Sequence, residues 1–158
     1  RQIEALRRLK YRPTGGFTFL AFNDAQPAVS WSVLDHERHP KLAYQAVIDA
    51  CRPVIVVADP LPASVLVGEA IAVDVHVVSD LRRPLDDVRC TATLRWPGGS
   101  HEWAWTGSVP PDECVRVGMA RFVVPDATGE LWLDLTLEHP EAAARNRYTS
   151  TLEARVSG

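Results

Sequence analysis

The spacing of apolar residues changes once in this chain, at Arg52-Pro53, and does not change back. Before that point apolar side chains recur three or four positions apart; beyond it they alternate with polar ones. A helix turns once in about 3.6 residues, whereas a strand flips its side chains at every step. Two periods in separate blocks therefore predict two separately built regions, residues 1–52 and residues 53–158.

The second block is a series of short alternating runs. Pro53-Val54-Ile55-Val56-Val57 reads as a first strand or a rigid linker, closed by Asp59-Pro60-Leu61-Pro62. Ile71, Val73, Val75 and Val77 alternate with Ala72, Asp74 and His76; Val88, Cys90, Ala92, Leu94 and Trp96 alternate with Arg89, Thr91, Thr93 and Arg95. Pro97-Gly98-Gly99-Ser100 then supplies a hairpin turn into the run holding Trp103 and Trp105. Val115, Val117 and Met119 are out of phase with Phe122 and Val124, a mismatch that a bulge or bend near Gly118 reconciles. Leu131, Leu133, Leu135 and Leu137 share a face, and Tyr148, Ser150, Leu152, Ala154 and Val156 form the last run. About seven such strands, each bounded by turn residues, predict an antiparallel β-sandwich with an immunoglobulin-like strand count.

The first block is organised differently. Ile3, Leu6 and Leu9 lay a narrow apolar stripe on an otherwise basic helix, and Pro13-Thr14-Gly15-Gly16 stops it. Arg7, Arg8, Lys10 and Arg12 lack interleaved aromatics or glycines, so they read as a solvated face and not as a polyanion site. Phe17–Phe22 (FTFLAF) has no polar alternation, the pattern of a strand covered on both faces in a parallel sheet. The chain then breaks at Asn23-Asp24, runs through Pro27 to Ser30-Trp31-Ser32, and enters a helix over about Pro40–Cys51 with Pro40 in its first turn. Leu42, Ala43, Ala46, Val47 and Ala50 form the face of that helix that needs cover. A single βα unit cannot make a parallel sheet, so its strand partners must lie elsewhere. The residues just past the strand's C-terminal end occupy the place where α/β sheets and barrels bind ligands.

At these residues the chain resembles a known family. Asn23-Asp24-x-x-Pro27-x-x-Ser30-Trp31-Ser32-x-x-Asp35, followed by Lys41, looks like the last barrel strand and loop of glycoside hydrolase family 2 enzymes of the β-mannosidase and exo-β-glucosaminidase type. Those enzymes carry Trp-Gln-Leu-Asn-Asp-x-Trp-Pro-x-x-Ser-Trp-Ser there. This chain departs from the pattern twice, with Leu20 at a strand-end Trp and Gln26 at a second one. The same enzymes place an immunoglobulin-like sandwich directly after the barrel, often with an Asn-x-Tyr near its last strand. Asn146-Arg147-Tyr148 is similar, as is Val78-Ser79-Asp80 at the end of an early strand. The resemblance implies that residues 1–52 are the closing helix-strand-helix of a (β/α)8 TIM barrel and that 53–158 are the following sandwich. The fold class expected is thus mainly β, an immunoglobulin-like antiparallel β-sandwich preceded by a partial barrel segment.

The same resemblance frames the candidate site. A retaining glycosidase works through two carboxyl groups about 5–5.5 Å apart, which the family carries as glutamates on earlier barrel strands. None of the glutamates here follows a barrel-type strand, so no catalytic residue is assigned to this chain. Asn23 and Asp24 are candidates to bind a sugar hydroxyl, with turn capping as the competing role. Trp31 either reaches a ligand or fills the junction between barrel and sandwich. Trp103 and Trp105 either make a sugar platform or, as bulky indoles usually do, belong to the core. His36 and His39 lack a third ligand, and Asp80, Asp86 and Asp87 lack the spacing of a calcium loop, so neither a metal nor another cofactor is expected.

Composition removes other classes. The 158 residues carry a net charge of −3, which gives no electrostatic case for nucleic acid or an anionic membrane. No apolar run reaches the length of a membrane helix. Three cysteines, Cys51, Cys90 and Cys114, are an odd number without metal-ligand spacing and read as free thiols. The chain opens without Met inside a helical run and is read as a piece of a longer protein. The expected function is that of a C-terminal portion of a retaining β-glycoside hydrolase, inactive alone. Its expected partner is the rest of the barrel, with oligosaccharide bound only by the intact enzyme; a dimer through the exposed barrel helices is the other way to cover them. The alternatives are a carbohydrate-binding sandwich, or a protein-interaction sandwich with no ligand.

Overall fold

In the computed structural model, which describes residues 1–154, the alternating half of the chain forms eight strands in two sheets. Val54–Ala58 (β1), Ala70–Ser79 (β3) and Cys114–Val123 (β6) form one sheet in the order β1-β3-β6. Ser64–Leu66 (β2), Leu85–Trp96 (β4), Gly99–Val109 (β5), Gly129–His139 (β7) and Ala142–Glu153 (β8) form the other, in the order β2-β8-β7-β4-β5. Every ladder is antiparallel except the short one between β2 and β8. The architecture is a β-sandwich. Val156, assigned above to the last run, lies outside the described residues.

The core follows from the alternation. Val73, Val75 and Val77 of β3 lie in one apolar cluster with Cys90, Ala92 and Leu94 of β4 and with the four leucines of β7. Burying each large side chain contributes about 1.5–3 kcal/mol. β1 is buried on both faces: Val54, Val56 and Ala58 join the main core, while Ile55 and Val57 form a second cluster with Val78. The first run after Pro53 is accordingly a strand and not a linker, paired with β3 from Val54↔Ser79 to Ala58↔Val75.

Three local devices set the registers. The β4–β5 hairpin closes between Trp96 and Gly99 over Pro97-Gly98, with Gly98 at φ +96°, a conformation that suits a residue without Cβ. The expected bulge is present: the β3–β6 register steps from Val75↔Gly118 to His76↔Arg116, leaving Val117 as the extra residue. Beside it Gly118 lies under the Trp105 indole, and a Cβ there would come within 2.2 Å of the ring. Finally, buried Tyr148 links the sheets. Its hydroxyl accepts the Ala58 N–H at 2.9 Å, and Asn146 Nδ2 donates to the Val56 carbonyl at 3.2 Å.

The chain divides into two units, the sandwich from Pro53 onward and Arg1–Arg52. In the latter, Gln2–Arg8 (α1) and Ala43–Ala50 (α2) are helical. Arg7, buried, donates to the carbonyls of Ala50 at 2.6 Å and Arg52 at 2.8 Å, placing a cation and two N–H groups on the open C-terminal end of α2. Two sequence expectations change here. Phe17–Phe22 joins no ladder as a strand: its main chain meets no neighbouring strand, and Leu20 is 98% exposed. The second helix starts at Ala43, not Pro40, because Pro40 bridges to Leu34 and the Lys41 N–H donates to the Val33 carbonyl at 2.9 Å, holding that stretch out of helical geometry. Of the helix face expected to need cover, Ala50 is buried and Leu42 fully exposed.

Candidate functional site

The loop between α1 and α2 is shaped by a small backbone clasp. The N–H groups of Val33 and Leu34 both donate to the Phe22 carbonyl at 3.1 Å, and the Asp24 N–H donates to the Leu34 carbonyl at 3.1 Å. Residues 25–32 arch outward from this clasp. A tight turn then returns the chain: the Asp35 carboxylate accepts the N–H groups of Glu37 at 2.9 Å and His39 at 2.7 Å, and Arg38 takes φ +67°. That return sets Lys41 beside Asp24.

Asp24 is 7% exposed and fully engaged. Lys41 Nζ meets Oδ2 at 2.5 Å, and the Ser32 hydroxyl donates to Oδ1 at 2.7 Å. The Ser30 hydroxyl donates to the same oxygen, and Lys41 donates to Ser32 Oγ at 2.8 Å. An ionised carboxylate only accepts, so every one of these contacts favours the charged form. The Lys41 ammonium, then the Ser30 and Ser32 hydroxyls, pull the Asp24 pKa down from 3.8 to about 2. Asp24 is thus unsuited to exchange protons near neutrality. Asn23 is exposed and donates from Nδ2 to the Asp24 carbonyl at 3.1 Å. The Ser30-Trp31-Ser32 step has a sharp polarity: Ser32 is 4% exposed and Trp31 92%.

The other sequence candidates sit elsewhere. Trp103 and Trp105 are half-buried and pack against the sandwich core, with Trp103 also 4.4 Å from the His101 ring and 6.3 Å from Phe122 between centroids. They belong to the packing between β5 and β6. His39 Nδ1 is 3.3 Å from Asp35. Among the described residues no group of three or more His, Cys, Asp or Glu is arranged to hold a metal ion. Burial raises the Cys90 thiol to about 12, which keeps it protonated and unreactive.

Against known proteins, no family profile and no curated sequence matches this chain. Solved structures do match in fold. A β-D-mannosidase from Dictyoglomus thermophilum is similar over 96% of this chain at 21% identity, with a TM-score of 0.68. The exo-chitosanase CsxA from Amycolatopsis orientalis is similar over 95% at 17% identity, with a TM-score of 0.69. The chain spans 18% of the length of either enzyme. A CARDB domain from Pyrococcus furiosus matches 63% of the chain at 16% identity and a TM-score of 0.51, and is itself covered to 94%. At these identities the likeness is one of fold.

The arch holds three residues in contact with Asp24 that the sequence reading left without a role. Lys41 was visible only as a motif member, and Ser30 and Ser32 only as flanks of Trp31. The available signal was their spacing. Two hydroxyls two residues apart around an aromatic residue go to one side of a non-helical chain and send the ring to the other.

Proposed function

We propose that this chain is a portion of a glycoside hydrolase of family 2, of the β-mannosidase or exo-β-glucosaminidase type, comprising the end of its barrel and the sandwich that follows. The observation that carries this reading is the fold match to a β-D-mannosidase and an exo-chitosanase across 95% or more of the chain. The Asn23–Asp35 motif also supports it. So does the surface of the first unit, where Phe19, Leu20, Phe22, Val29 and Leu42 stand exposed. A soluble protein that leaves so many large apolar side chains open normally has something to cover them; here that cover is the remainder of the barrel.

In the parent enzyme the reaction is hydrolysis of a β-glycoside with retention, by a carboxylate nucleophile and a carboxylic acid/base. This chain contributes neither group. Its glutamates lie on α1, in turns, or on sandwich strands, for example Glu4, Glu37, Glu102 and Glu138. It contributes barrel closure, a sandwich and the arch that carries Asn23, Asp24 and Trp31. The isolated chain is expected to leave p-nitrophenyl β-D-mannoside and p-nitrophenyl β-D-glucosaminide uncleaved; turnover of either would refute the assignment of catalysis to other strands. The reading frame upstream of Arg1 is expected to encode further βα repeats, two of their strands ending in Glu. A frame without them would overturn the proposal.

A further inference from the structure

The two open sheets of the sandwich end in four edge strands, β1 and β6 of one and β2 and β5 of the other. An edge presents unpaired N–H and C=O groups that a further strand completes, and shortness, bulges, charges or cover normally blunt it. Three of these edges are blunted. β2 is three residues long. β1 is capped by side chains, its Ala58 N–H by the Tyr148 hydroxyl and its Val56 carbonyl by the Asn146 amide. β6 is interrupted by the bulge at Val117 and carries Arg116 and Arg121. β5 has none of these guards. It runs for eleven residues, keeps one register with β4 from Val88↔Gly107 to Trp96↔Gly99, and holds no Pro, Lys or Arg, with Glu102 its single acidic residue.

Which groups face the open side follows from the hairpin. Hydrogen-bonded and non-bonded pairs alternate along an antiparallel ladder, and a two-residue loop is closed by a bonded pair, here Trp96↔Gly99. The odd-numbered residues from Gly99 to Gly107 therefore bond to β4, while Ser100, Glu102, Ala104, Thr106 and Ser108, all exposed, turn their N–H and C=O groups outward. We propose that β5 pairs antiparallel with β5 of a second copy of this chain about a two-fold axis at Ala104, joining two five-stranded sheets into one. The strand matches itself in this register. Ala104 is the midpoint of Gly99–Val109, so the overlap covers the whole strand, and the side chain on the axis is small. Glu102 of each copy falls opposite Thr106 of the other, and Trp103 opposite Trp105, so carboxylates stay apart while half-buried indoles gain aromatic cross-strand neighbours. Moving the axis to Glu102 would set two carboxylates side by side.

The test uses the full 158-residue chain and does not depend on the hydrolase reading. Sedimentation equilibrium in reducing buffer, from micromolar to millimolar concentration, is expected to show a monomer–dimer equilibrium. Ala104→Lys sets two ammonium groups on the axis and is expected to leave only monomer, with the far-ultraviolet circular dichroism unchanged. A cross-link reads the same interface should that variant fail to fold. In a Cys51→Ser background, which removes the exposed native thiol, Ala104→Cys brings two thiols across the axis, where the Cα atoms of a bonded pair lie about 5.5 Å apart, within disulfide range. Oxidised glutathione is expected to link this variant into dimers and to leave Glu102→Cys, on the order of 14 Å from its own counterpart, unlinked. A monomer at every concentration would overturn the proposal and leave the edge to a strand outside this chain. A dimer that survives Ala104→Lys would place the interface elsewhere, and linking through Glu102→Cys in preference to Ala104→Cys would overturn the register.

Discussion

Asp24 departs from its ordinary chemistry, and the departure has a sign. Its folded pKa of about 2 lies below the ordinary 3.8, with Lys41, Ser30 and Ser32 facing it. The carboxylate therefore contributes stability above about pH 4, and that contribution is lost as the pH falls toward 2. A carbon-13 titration of the Asp24 carboxyl should have its midpoint near 2, and Lys41→Met should move it up toward 3.8; an unmoved midpoint would mean that Lys41 is not its partner in solution. Tyr148 is the corresponding residue in the sandwich. Tyr148→Phe removes the acceptor of the buried Ala58 N–H, and should cost about 1–3 kcal/mol in urea unfolding with an unchanged m-value. A loss well under that range would show that water replaces the hydroxyl.

At the scale of elements, one close fit between β5 and β6 is the Trp105 indole over Gly118. Gly118→Ala should destabilise the sandwich by about 1–3 kcal/mol, since a fused ring cannot yield as a flexible side chain would. In a Trp105→Leu background most of that penalty should vanish, and thermal unfolding of the four proteins in the cycle measures the coupling. Additive costs would place the strain elsewhere. These elements also show what a sequence exposes. Leu131 to Leu137, and the phase slip near Gly118, were legible because each side chain's environment depends on the local pleat. Phe17–Phe22 was read as a strand with its partners elsewhere, and since a strand exists only with a neighbour to complete its hydrogen bonds, it joins no ladder among the described residues. The start of α2 at Ala43 was hidden for a related reason: the Leu34–Pro40 bridge is a contact between loop segments that no periodicity announces. The motif residues Asn23, Asp24 and Trp31 were legible as a group, while the division of labour among them required seeing which oxygen Lys41 reaches.

Across the whole molecule, protection against solvent should be unequal. Amides of β3, β4 and β7, inside ladders on both sides, should exchange slowest, and residues 15–21, which belong to no helix, strand or bridge, fastest. Hydrogen-exchange mass spectrometry reads this directly; slow exchange through 15–21 would reveal a partner strand, such as a second copy supplies.

The way Pro53 leads into β1 has a mechanical consequence. β1 is laced to β3 along its length, and through the Tyr148 hydroxyl and the Asn146 amide it is also hooked to β8 of the opposite sheet. A pull arriving along the chain from Arg52 is thus shared between both layers at once. The strand must shear from one and unhook from the other together, so the junction resists tension as a rivet does, not as a zip.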